Sequence, residues 1–189
     1  MFNILIINQK GGVGKTTIAD ELAFALERLK KSVSFVSTDA QGGSVHGADI
    51  IDDADFQIVD TAGVLTENLH EWCKAADMIM IPMLPSSRDL EPTLRTYQLA
   101  TSSQTDARIG LIINGYFTRG ILDRQLKEHL QSEKYLIWTE IPKTVSLPQA
   151  AAEGMSVSEY DKDSPATVAF ENLATVVIQE EKRIRKEKK

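Results

Sequence analysis

The sequence predicts an α/β fold in which a mostly parallel β-sheet is flanked by helices on both faces. Short apolar runs alternate with helical patterns along most of the chain, and the runs at 2–7 and 78–83 are apolar at nearly every position. Such runs are typical of strands that are buried on both sides of a sheet. A glycine-rich loop at 10–17 joins the first run to the first helical pattern. Strands of this kind in alternation with helices indicate a parallel sheet between two helical layers.

The strands are assigned from their apolar runs and the first helices from apolar residues at helical spacing. The connector at 40–55 is polar and rich in turn-forming residues, so it is expected to lie outside the sheet. Strands are predicted at 2–7, 33–37, 56–60, 78–83, 109–114 and 136–141. Helices are predicted at 15–31, around Leu65, Leu69 and Trp72, and along the stripe Leu122, Leu126 and Leu130.

Two helices carry start signals of their own. A helix is expected over about 89–103, where Asp89 would be the N-cap and Pro92 would lie in the first turn. The last helix is expected over about 165–189, because Ser164 and Pro165 are typical of an N-cap followed by a first-turn proline. Its apolar stripe is Phe170, Leu173, Val177 and Ile184.

Composition limits the class of protein. The chain of 189 residues, 42% hydrophobic and 25% charged, is predicted to form one domain over 1–189 with a continuous core. Cys73 is the only cysteine, which excludes a disulfide framework, a four-cysteine zinc site and a CxxC pair within one chain. The apolar runs are too short to span a bilayer, and the first residues lack the basic start of a signal peptide. The expected setting is cytoplasmic, without membrane contact.

Charge is distributed unevenly along the chain. The net charge is -6, but residues 180–189 contain six Lys or Arg and three Glu, a net charge of +3. The preceding residues therefore carry a net charge of -9. An acidic chain argues against a protein that coats nucleic acid, whereas the basic end of the last helix leaves two alternatives open. It either contacts DNA phosphates or is a solvated helix end whose cations suit the helix dipole.

The loop at 10–17 has the pattern of a phosphate-binding loop. Glycines allow backbone N–H groups to turn toward phosphate oxygens, and the following helix N-terminus adds partial positive charge. Lys15 would bind the β- and γ-phosphates, the Thr16 hydroxyl would bind Mg²⁺, and Thr17 would reach the α-phosphate. The residues assigned to nucleotide binding here are Gly11, Gly12, Val13, Gly14, Lys15, Thr16 and Thr17.

The loop departs from the common GxxxxGK[ST] form, because Gln9 stands at its first position and a second lysine, Lys10, follows. In this it resembles the deviant Walker A motif of the ParA/MinD family of partition and positioning ATPases. The resemblance implies a P-loop NTPase fold of the deviant Walker A class. It also implies that Lys10 crosses a dimer interface to the nucleotide of the partner subunit, so that Lys10 and Lys15 both act in catalysis.

Two further segments resemble motifs of that family. Residues 36–41 resemble its second motif, with Ala40 in place of the usual proline, which implies that Asp39 orients or deprotonates the attacking water and contributes to the metal site. Residues 58–63 resemble a Walker B strand and switch. That likeness implies that Asp60 holds Mg²⁺ through water and that the Gly63 N–H senses the γ-phosphate. The metal residues implied are Thr16, Asp39 and Asp60.

The resemblance continues to the end of the sheet. Asn114 lies where the family often places an asparagine that contacts adenine, and Pro142 begins a segment that in relatives lies over the base. Both residue types are also common turn formers at strand ends. The chain is small for this family and resembles its single-domain partition ATPases.

The function implied is that of an Mg²⁺-dependent ATPase that binds ATP, forms a homodimer and hydrolyses ATP to ADP. The dimer would bind DNA without sequence preference, associate with the nucleoid and be released by a ParB-like DNA-binding partner. One alternative is a ParA-like ATPase that positions a conjugation complex or another cargo. Another is a nucleotide-switched adaptor that does not hydrolyse ATP. Candidate contacts with DNA are Lys182, Arg183, Arg185 and Lys186.

Overall fold

The predicted architecture is confirmed by a computed structural model, which describes residues 1–38, 43–62 and 69–187. Six strands form one sheet in the order β2-β3-β1-β4-β5-β6, and every neighbouring pair is parallel. The strands are β1 (Phe2–Ile6), β2 (Val33–Ser37), β3 (Phe56–Asp60), β4 (Met78–Met83), β5 (Arg108–Tyr116) and β6 (Ile137–Pro142). Each predicted strand is therefore present, with ends that shift by at most two residues.

The helices connect these strands and cover both faces of the sheet. They are α1 (Lys15–Arg28), α2 (Leu69–Ala75), α3 (Ser87–Ser102), α4 (Ile121–Ser132), α5 (Ser146–Ala152), α6 (Val157–Tyr160) and α7 (Pro165–Glu187). One core lies between the sheet and the helices α1 and α7, and the other lies between the sheet and α2, α3 and α4. None of the described helices is long and apolar enough to cross a membrane.

Two helix ends differ from the sequence prediction. Helix α1 ends at Arg28 rather than at residue 31, because Lys30 adopts a left-handed conformation with φ 61° that a continuing helix excludes. Helix α3 begins earlier than predicted: Ser86 is its N-cap and accepts a hydrogen bond from the Arg88 N–H, so the N-cap assignment of Asp89 is wrong. Asp89 instead lies in the first turn and is buried, and Pro92 lies in the second turn.

The strand order places a crevice at one edge of the sheet. β2 and β3 lie on one side of β1, and β4, β5 and β6 lie on the other, so the direction of winding changes at β1. In open α/β sheets, ligands bind at such a switch point, beyond the carboxyl ends of the strands. We call this side of the sheet the carboxyl edge and the opposite side the amino edge. The glycine-rich loop follows β1 directly, so it lies at the switch point.

One large side chain of β6, Trp138, packs across the neighbouring strand β5. Trp138 crosses β5 at Gly110, and its Nε1 donates a hydrogen bond to the Ile79 carbonyl of β4 at 3.2 Å. A Cβ at Gly110 would lie 2.5 Å from Trp138 Nε1, so this close approach requires glycine. Arg108 lies over the indole at 5.4 Å from the ring centroid and forms an ion pair with Glu180 of α7. This cluster therefore joins three strands to the last helix.

Candidate functional site

The glycine-rich loop leaves β1 and enters α1 through residues with positive φ. Gly12 and Gly14 have φ values of 75° and 91°, and Gly14 is the N-cap of α1. Its carbonyl accepts the first helical hydrogen bond, from the Ile18 N–H at 3.0 Å. A Cβ on Gly14 would also overlap the Asn114 side chain. The loop thus surrounds a helix N-terminus, where unpaired N–H groups and the helix dipole favour an anion.

Helix α3 fixes the start of the loop through two threonines, which contact Asn8 and Gln9. Asn8 Nδ2 donates to the Pro82 carbonyl at 2.6 Å and to Thr93 Oγ1 at 3.0 Å. Thr96 Oγ1 accepts the Gln9 N–H at 3.1 Å and lies 3.3 Å from Asn8 Oδ1. Both threonines are completely buried. This network, which holds the loop from the side opposite α1, was not anticipated from the sequence because its members lie more than eighty residues apart.

The two lysines of the loop occupy different environments. Lys15 is buried, with 8% of its surface exposed, and its Nζ donates to the Lys10 carbonyl at 3.4 Å. The ammonium of Lys15 therefore bends back over the loop toward the space that the glycines surround. Lys10 is exposed, and its N–H donates to Asn8 Oδ1 at 2.9 Å. The backbone of Lys10 is fixed while its side chain faces outward, as a residue that contacts another molecule requires.

Thr16 and Asp60 meet beneath the loop. Thr16 Oγ1 donates a hydrogen bond to Asp60 Oδ2 at 2.8 Å, and Asp60 is completely buried at the end of β3. A hydroxyl and a carboxylate provide the oxygen ligands that Mg²⁺ prefers, and Mg²⁺ commonly takes one or two protein ligands and completes its shell with water and phosphate. The donor set present here therefore fits Mg²⁺.

Asp39 and Gly63, two predicted site residues, lie outside the described residues, so their roles stay predictions. The described residues that flank them converge at the carboxyl edge. The Thr38 N–H donates to the Asp60 carbonyl at 2.9 Å, and Thr38 Oγ1 accepts the Ala62 N–H at 3.1 Å. Thr38 and Ala62, the described residues before Asp39 and Gly63, thus lie close to Asp60.

A cavity of about 240 Å³ opens beside the first turn of α1. Asn114 forms part of its wall, and the Asn114 Nδ2 donates to the Val13 carbonyl at 2.9 Å, which ties the end of β5 to the loop. The structure therefore brings Thr17, assigned to the α-phosphate, together with Asn114 and Pro142, assigned to the base, around one space. The roles of these three residues stay predictions. The cavity is lined by Thr17, Asn114, Gly115, Pro142, Lys143, Thr144, Leu147, Pro148 and Ala151.

Sequence reasoning missed two buried carboxylates on α1. Asp20 and Glu21 are each 5% exposed, and each accepts a hydrogen bond from a distant backbone N–H at 2.8 Å: Asp20 from Val45, and Glu21 from Val157. Burial raises the pKa of Asp20 to about 6 and that of Glu21 to about 7, because desolvation disfavours the charged form. The available signal was Glu21, which flanks the apolar stripe of Ile18, Leu22 and Ala25, whereas Asp20 lies off that stripe.

The basic end of α7 lies far from the loop. Ile184 borders a cavity at the amino edge, together with Met1, Asn3 and Asp106, and Glu180 pairs with Arg108 at the start of β5. Arg183 forms ion pairs with Glu180 and Glu187, and Arg185 pairs with Glu181. Two of the four predicted DNA contacts are thus already paired with carboxylates on the same helix, whereas Lys182 and Lys186 are exposed.

Comparison with known proteins agrees with this geometry. The model of the CobQ/CobB/MinD/ParA nucleotide-binding domain matches residues 4–157, a span that contains the loop, the Thr16–Asp60 pair and the cavity. The chain belongs to this family. Within the family it is 27% identical to the chromosome-partitioning ATPase Soj of Thermus thermophilus, over 93% of this chain and 94% of that protein.

Two further relatives extend the comparison of this ParA/MinD-family chain. It is 25% identical to the maintenance of carboxysome distribution protein A of Halothiobacillus neapolitanus, over 82% of this chain and 86% of that protein. The apo structure of McdA from Cyanthece superposes with a TM-score of 0.81 at 17% identity, covering 94% of this chain and 99% of that one. At this identity, the likeness to McdA shows the shared fold alone.

Proposed function

We propose that the chain is a ParA-type ATPase domain, which forms a dimer on ATP, binds DNA without sequence preference and is released by hydrolysis. The observation that carries the proposal is the complete loop from Lys10 to Thr17 on a helix N-terminus, directly above a hydrogen-bonded Thr16–Asp60 pair. This combination would bring phosphate-binding and metal-binding groups to one point. Family membership and the relationship to Soj support it.

ATP is proposed to bind with its phosphates inside the loop. The N–H groups of the first turn of α1 would donate to phosphate oxygens, and the Lys15 ammonium would neutralise charge on the β- and γ-phosphates. Thr16 and Asp60 would hold Mg²⁺, which when bound screens phosphate charge and orients the oxygens for in-line attack. Thr17 belongs to the loop and also lines the cavity, so it would lie between the bound phosphates and the bound base.

The base is proposed to occupy the cavity between α1 and α5. Asn114 already donates one amide hydrogen to the Val13 carbonyl, so the orientation of its amide is fixed before a ligand arrives. Pro142 and Pro148 present apolar surface within the same wall. A flat aromatic base would gain contact with these rings while Asn114 provides a polar partner.

Hydrolysis is proposed to require both a dimer and a partner protein. The exposed Lys10 would reach the nucleotide of the second subunit, and Asp39 would orient the attacking water, with the Gly63 N–H near the γ-phosphate. Slow turnover would then act as a timer until a ParB-like protein accelerates it. The ATP-bound dimer would reside in the cytoplasm on the nucleoid, with ADP as the released state.

DNA binding is proposed to involve the basic end of α7. Lys182, Arg185 and Lys186 are exposed there, and Arg183 and Arg185 already form ion pairs with glutamates. A dimer that forms across the carboxyl edges would hold its two basic ends at opposite extremes. Each end would then contribute few phosphate contacts, and dimerisation would raise the apparent affinity by joining two weak sites.

A second candidate function is the positioning of a cargo other than DNA. The relationship to the maintenance of carboxysome distribution protein A supports it, because that relative is named for the distribution of a different object. The same ATP-driven cycle would serve either role. A third candidate, a switched adaptor without turnover, would retain nucleotide binding and dimerisation only.

The test measures phosphate release and DNA binding with the same protein. Affinity for a duplex of arbitrary sequence is measured with ADP, with ATP and with a slowly hydrolysed ATP analogue, each at two salt concentrations. A ParA-type ATPase binds DNA with ATP or the analogue, binds weakly with ADP and loses affinity at the higher salt concentration. Phosphate release without DNA binding in any state favours cargo positioning, whereas nucleotide binding without phosphate release favours the adaptor.

The matched control is Lys15→Gln, which keeps a polar side chain, one heavy atom shorter, but removes the cation. We expect it to lower phosphate release at least about a hundredfold, because charge on the transferred phosphoryl group is no longer neutralised. Undiminished turnover in the purified variant would contradict the assignment of the site.

A further inference from the structure

Glu21 connects the phosphate-loop helix to the segment that forms the far wall of the cavity. Its Oε1 accepts the Val157 N–H at 2.8 Å, across 136 residues of sequence. The Glu21 side chain is almost completely buried, and its Oε2 has no hydrogen-bond partner among the described residues. Burying a carboxylate for one backbone hydrogen bond disfavours folding, so stability alone does not account for this residue.

Val157 links Glu21 to α5 through the short helix α6. It is the first residue of α6, and α6 is fastened to α5 by two side-chain hydrogen bonds at its end. Tyr160 Oη donates to Gln149 Oε1 at 3.3 Å, and Ser146 Oγ donates to Asp161 Oδ2 at 2.9 Å. The two short helices are therefore hydrogen-bonded to each other, and Glu21 is where this pair is hydrogen-bonded to α1.

Helix α5 carries one wall of the cavity, and α1 carries the other. Leu147, Pro148 and Ala151 line the cavity from α5, while Thr17 lines it from α1, one turn before Glu21. The distance between these walls determines whether a flat base contacts both of them or only one. The hydrogen bond between Glu21 and Val157 acts across that separation.

We propose that Glu21 is a positioning residue for the nucleotide base, which holds α5 at the distance from α1 that a purine requires. The proposal rests on the proposed function, since it assumes that the cavity receives the base of the nucleotide bound by the loop. It assigns to Glu21 a share of base recognition without direct contact with the ligand. The raised pKa of Glu21, which reflects the cost of its burial, is consistent with a residue retained for a task other than stability.

Asp20 provides the matched control. It has the same exposure as Glu21 and also accepts a backbone N–H at 2.8 Å, but its partner is Val45 in the connector after β2. Removing either carboxylate deletes a buried hydrogen bond from the same helix. Only the loss of Glu21 removes the hydrogen bond that connects α1 to α6, and through α6 to the α5 wall of the cavity.

The experiment compares binding of ATP, GTP and inorganic tripolyphosphate by calorimetry, with Mg²⁺ present, in wild type, Glu21→Ala, Glu21→Gln and Asp20→Ala. We expect Glu21→Ala to weaken ATP binding about tenfold, while tripolyphosphate changes less than about twofold, because only the base site is loosened. The ratio of the GTP to the ATP dissociation constant should also fall in Glu21→Ala. Glu21→Gln keeps an acceptor for the Val157 N–H, so it should restore ATP binding to within about threefold of wild type.

Val157→Pro removes the same hydrogen bond from the donor side and keeps the test decisive if Glu21→Ala does not fold. Proline is tolerated at the first position of a helix, and Ser156, with φ -69° and ψ 155°, already has the conformation that a following proline requires. We expect Val157→Pro to reproduce the selective loss of ATP affinity.

The outcomes separate this inference from the proposed function. Equal loss of ATP and tripolyphosphate affinity in Glu21→Ala, or an equally selective loss of ATP in Asp20→Ala, would overturn the role of Glu21. In both cases wild type still binds ATP, and the proposed function stands. A wild-type protein that binds neither ATP nor tripolyphosphate would overturn the proposed function, and the inference with it.

Discussion

At the scale of single residues, the site combines a loop visible in the sequence with buried acids that are not. Gly14 has to be glycine because of its positive φ and its contact with Asn114, and the motif already requires glycine there. Asp20 and Glu21 follow the motif within one turn and a half of helix, yet nothing local indicates their partners. Their hydrogen bonds to Val45 and Val157 depend on which segments the fold brings beside α1.

The buried carboxylate of Glu21 predicts a dependence of stability on pH. Its pKa rises from 4.5 in the unfolded chain to about 7 in the folded protein, so the folded state binds the proton more tightly. The stability that this proton contributes is present below pH 4.5 and is lost as the pH rises through 7. Glu21→Gln should therefore raise the free energy of unfolding at pH 8 by up to about 3 kcal/mol and leave it nearly unchanged at pH 4.5.

Chemical denaturation of wild type and Glu21→Gln at the two pH values measures this difference. Glu159→Gln is a useful comparison, because hydrogen bonds with Ser156 hold the pKa of Glu159 below its usual range. Loss of that charge should destabilise the protein at pH 8 rather than stabilise it. An increase for Glu21→Gln that is the same at both pH values would contradict the role of burial.

At the scale of elements, α3 supports the phosphate loop in a way that its position after β4 does not reveal. Its buried residues Asp89, Thr93, Thr96 and Ala100 recur at helical spacing, which indicates a buried face, but polar residues on such a face lack an obvious partner in the sequence. The structure provides one: Asn8 and Gln9 at the start of the loop. The helix thereby fixes the loop before nucleotide binds.

Thr96→Val tests this support, because it keeps the shape of the side chain and removes its hydroxyl. The Gln9 N–H then loses its partner, and we expect a loss of about 1–2 kcal/mol in stability and a severalfold loss of ATP affinity. Thr101→Val on the same helix is the control, since within the described part of the chain its exposed hydroxyl bonds to carbonyls of α3 alone. Calorimetric binding and thermal unfolding of both variants provide the measurements. Equal effects of the two substitutions would refute a specific role for Thr96.

The pairing of β6 with β5 depends on one glycine. Gly110→Ala would place a methyl group against the buried indole of Trp138, which is fixed by its hydrogen bond to Ile79. We expect a loss of about 2–3 kcal/mol in the free energy of unfolding, as is usual when a packed core receives an extra carbon. Gly11→Ala is the control, because among residues 1–38, 43–62 and 69–187 no atom beyond Gly11 and its chain neighbours lies within 4 Å of the position of its Cβ. Comparable unfolding midpoints in denaturant for the two variants would contradict this packing account.

At the scale of the whole molecule, the two charged features lie at opposite edges of the sheet. The phosphate loop is at the carboxyl edge, whereas the basic end of α7 is at the amino edge beside Arg108. The net charge of -6 is a sum over the whole chain and therefore does not give the local charge at either edge. Ion pairs of Arg183 and Arg185 with glutamates further reduce the charge that the basic end offers to DNA.

Lys182→Gln combined with Lys186→Gln tests the contribution of the basic end to DNA binding. We expect weaker binding in the ATP state and a salt dependence whose slope falls by about two for each end that contacts DNA. Arg119→Gln with Arg124→Gln is the comparison at the carboxyl edge, because these residues lie just after β5. Titration of labelled duplex at several salt concentrations distinguishes the pairs. A loss confined to the Arg119 and Arg124 pair would move the DNA contact to the carboxyl edge.

The family, the phosphate loop and the type of nearly every element follow from the amino-acid sequence alone. These are local properties: a glycine turn, an apolar run or a helical stripe is specified by residues within a few positions of each other. The ion pairs of Arg183 with Glu187 and of Arg185 with Glu181 were also open to prediction, since they lie at helical spacing.

Only the tertiary structure decided what the buried polar groups contact. Glu21 meets Val157, Thr96 meets Gln9, and Trp138 passes over Gly110 because the strand order and register bring distant segments to one place. A carboxylate or hydroxyl in a helical pattern predicts burial at most, and its partner follows from the packing of the whole sheet. The contacts that hold the candidate site in place therefore depend on the fold, whereas the groups proposed to bind phosphate are already recognisable in the loop sequence.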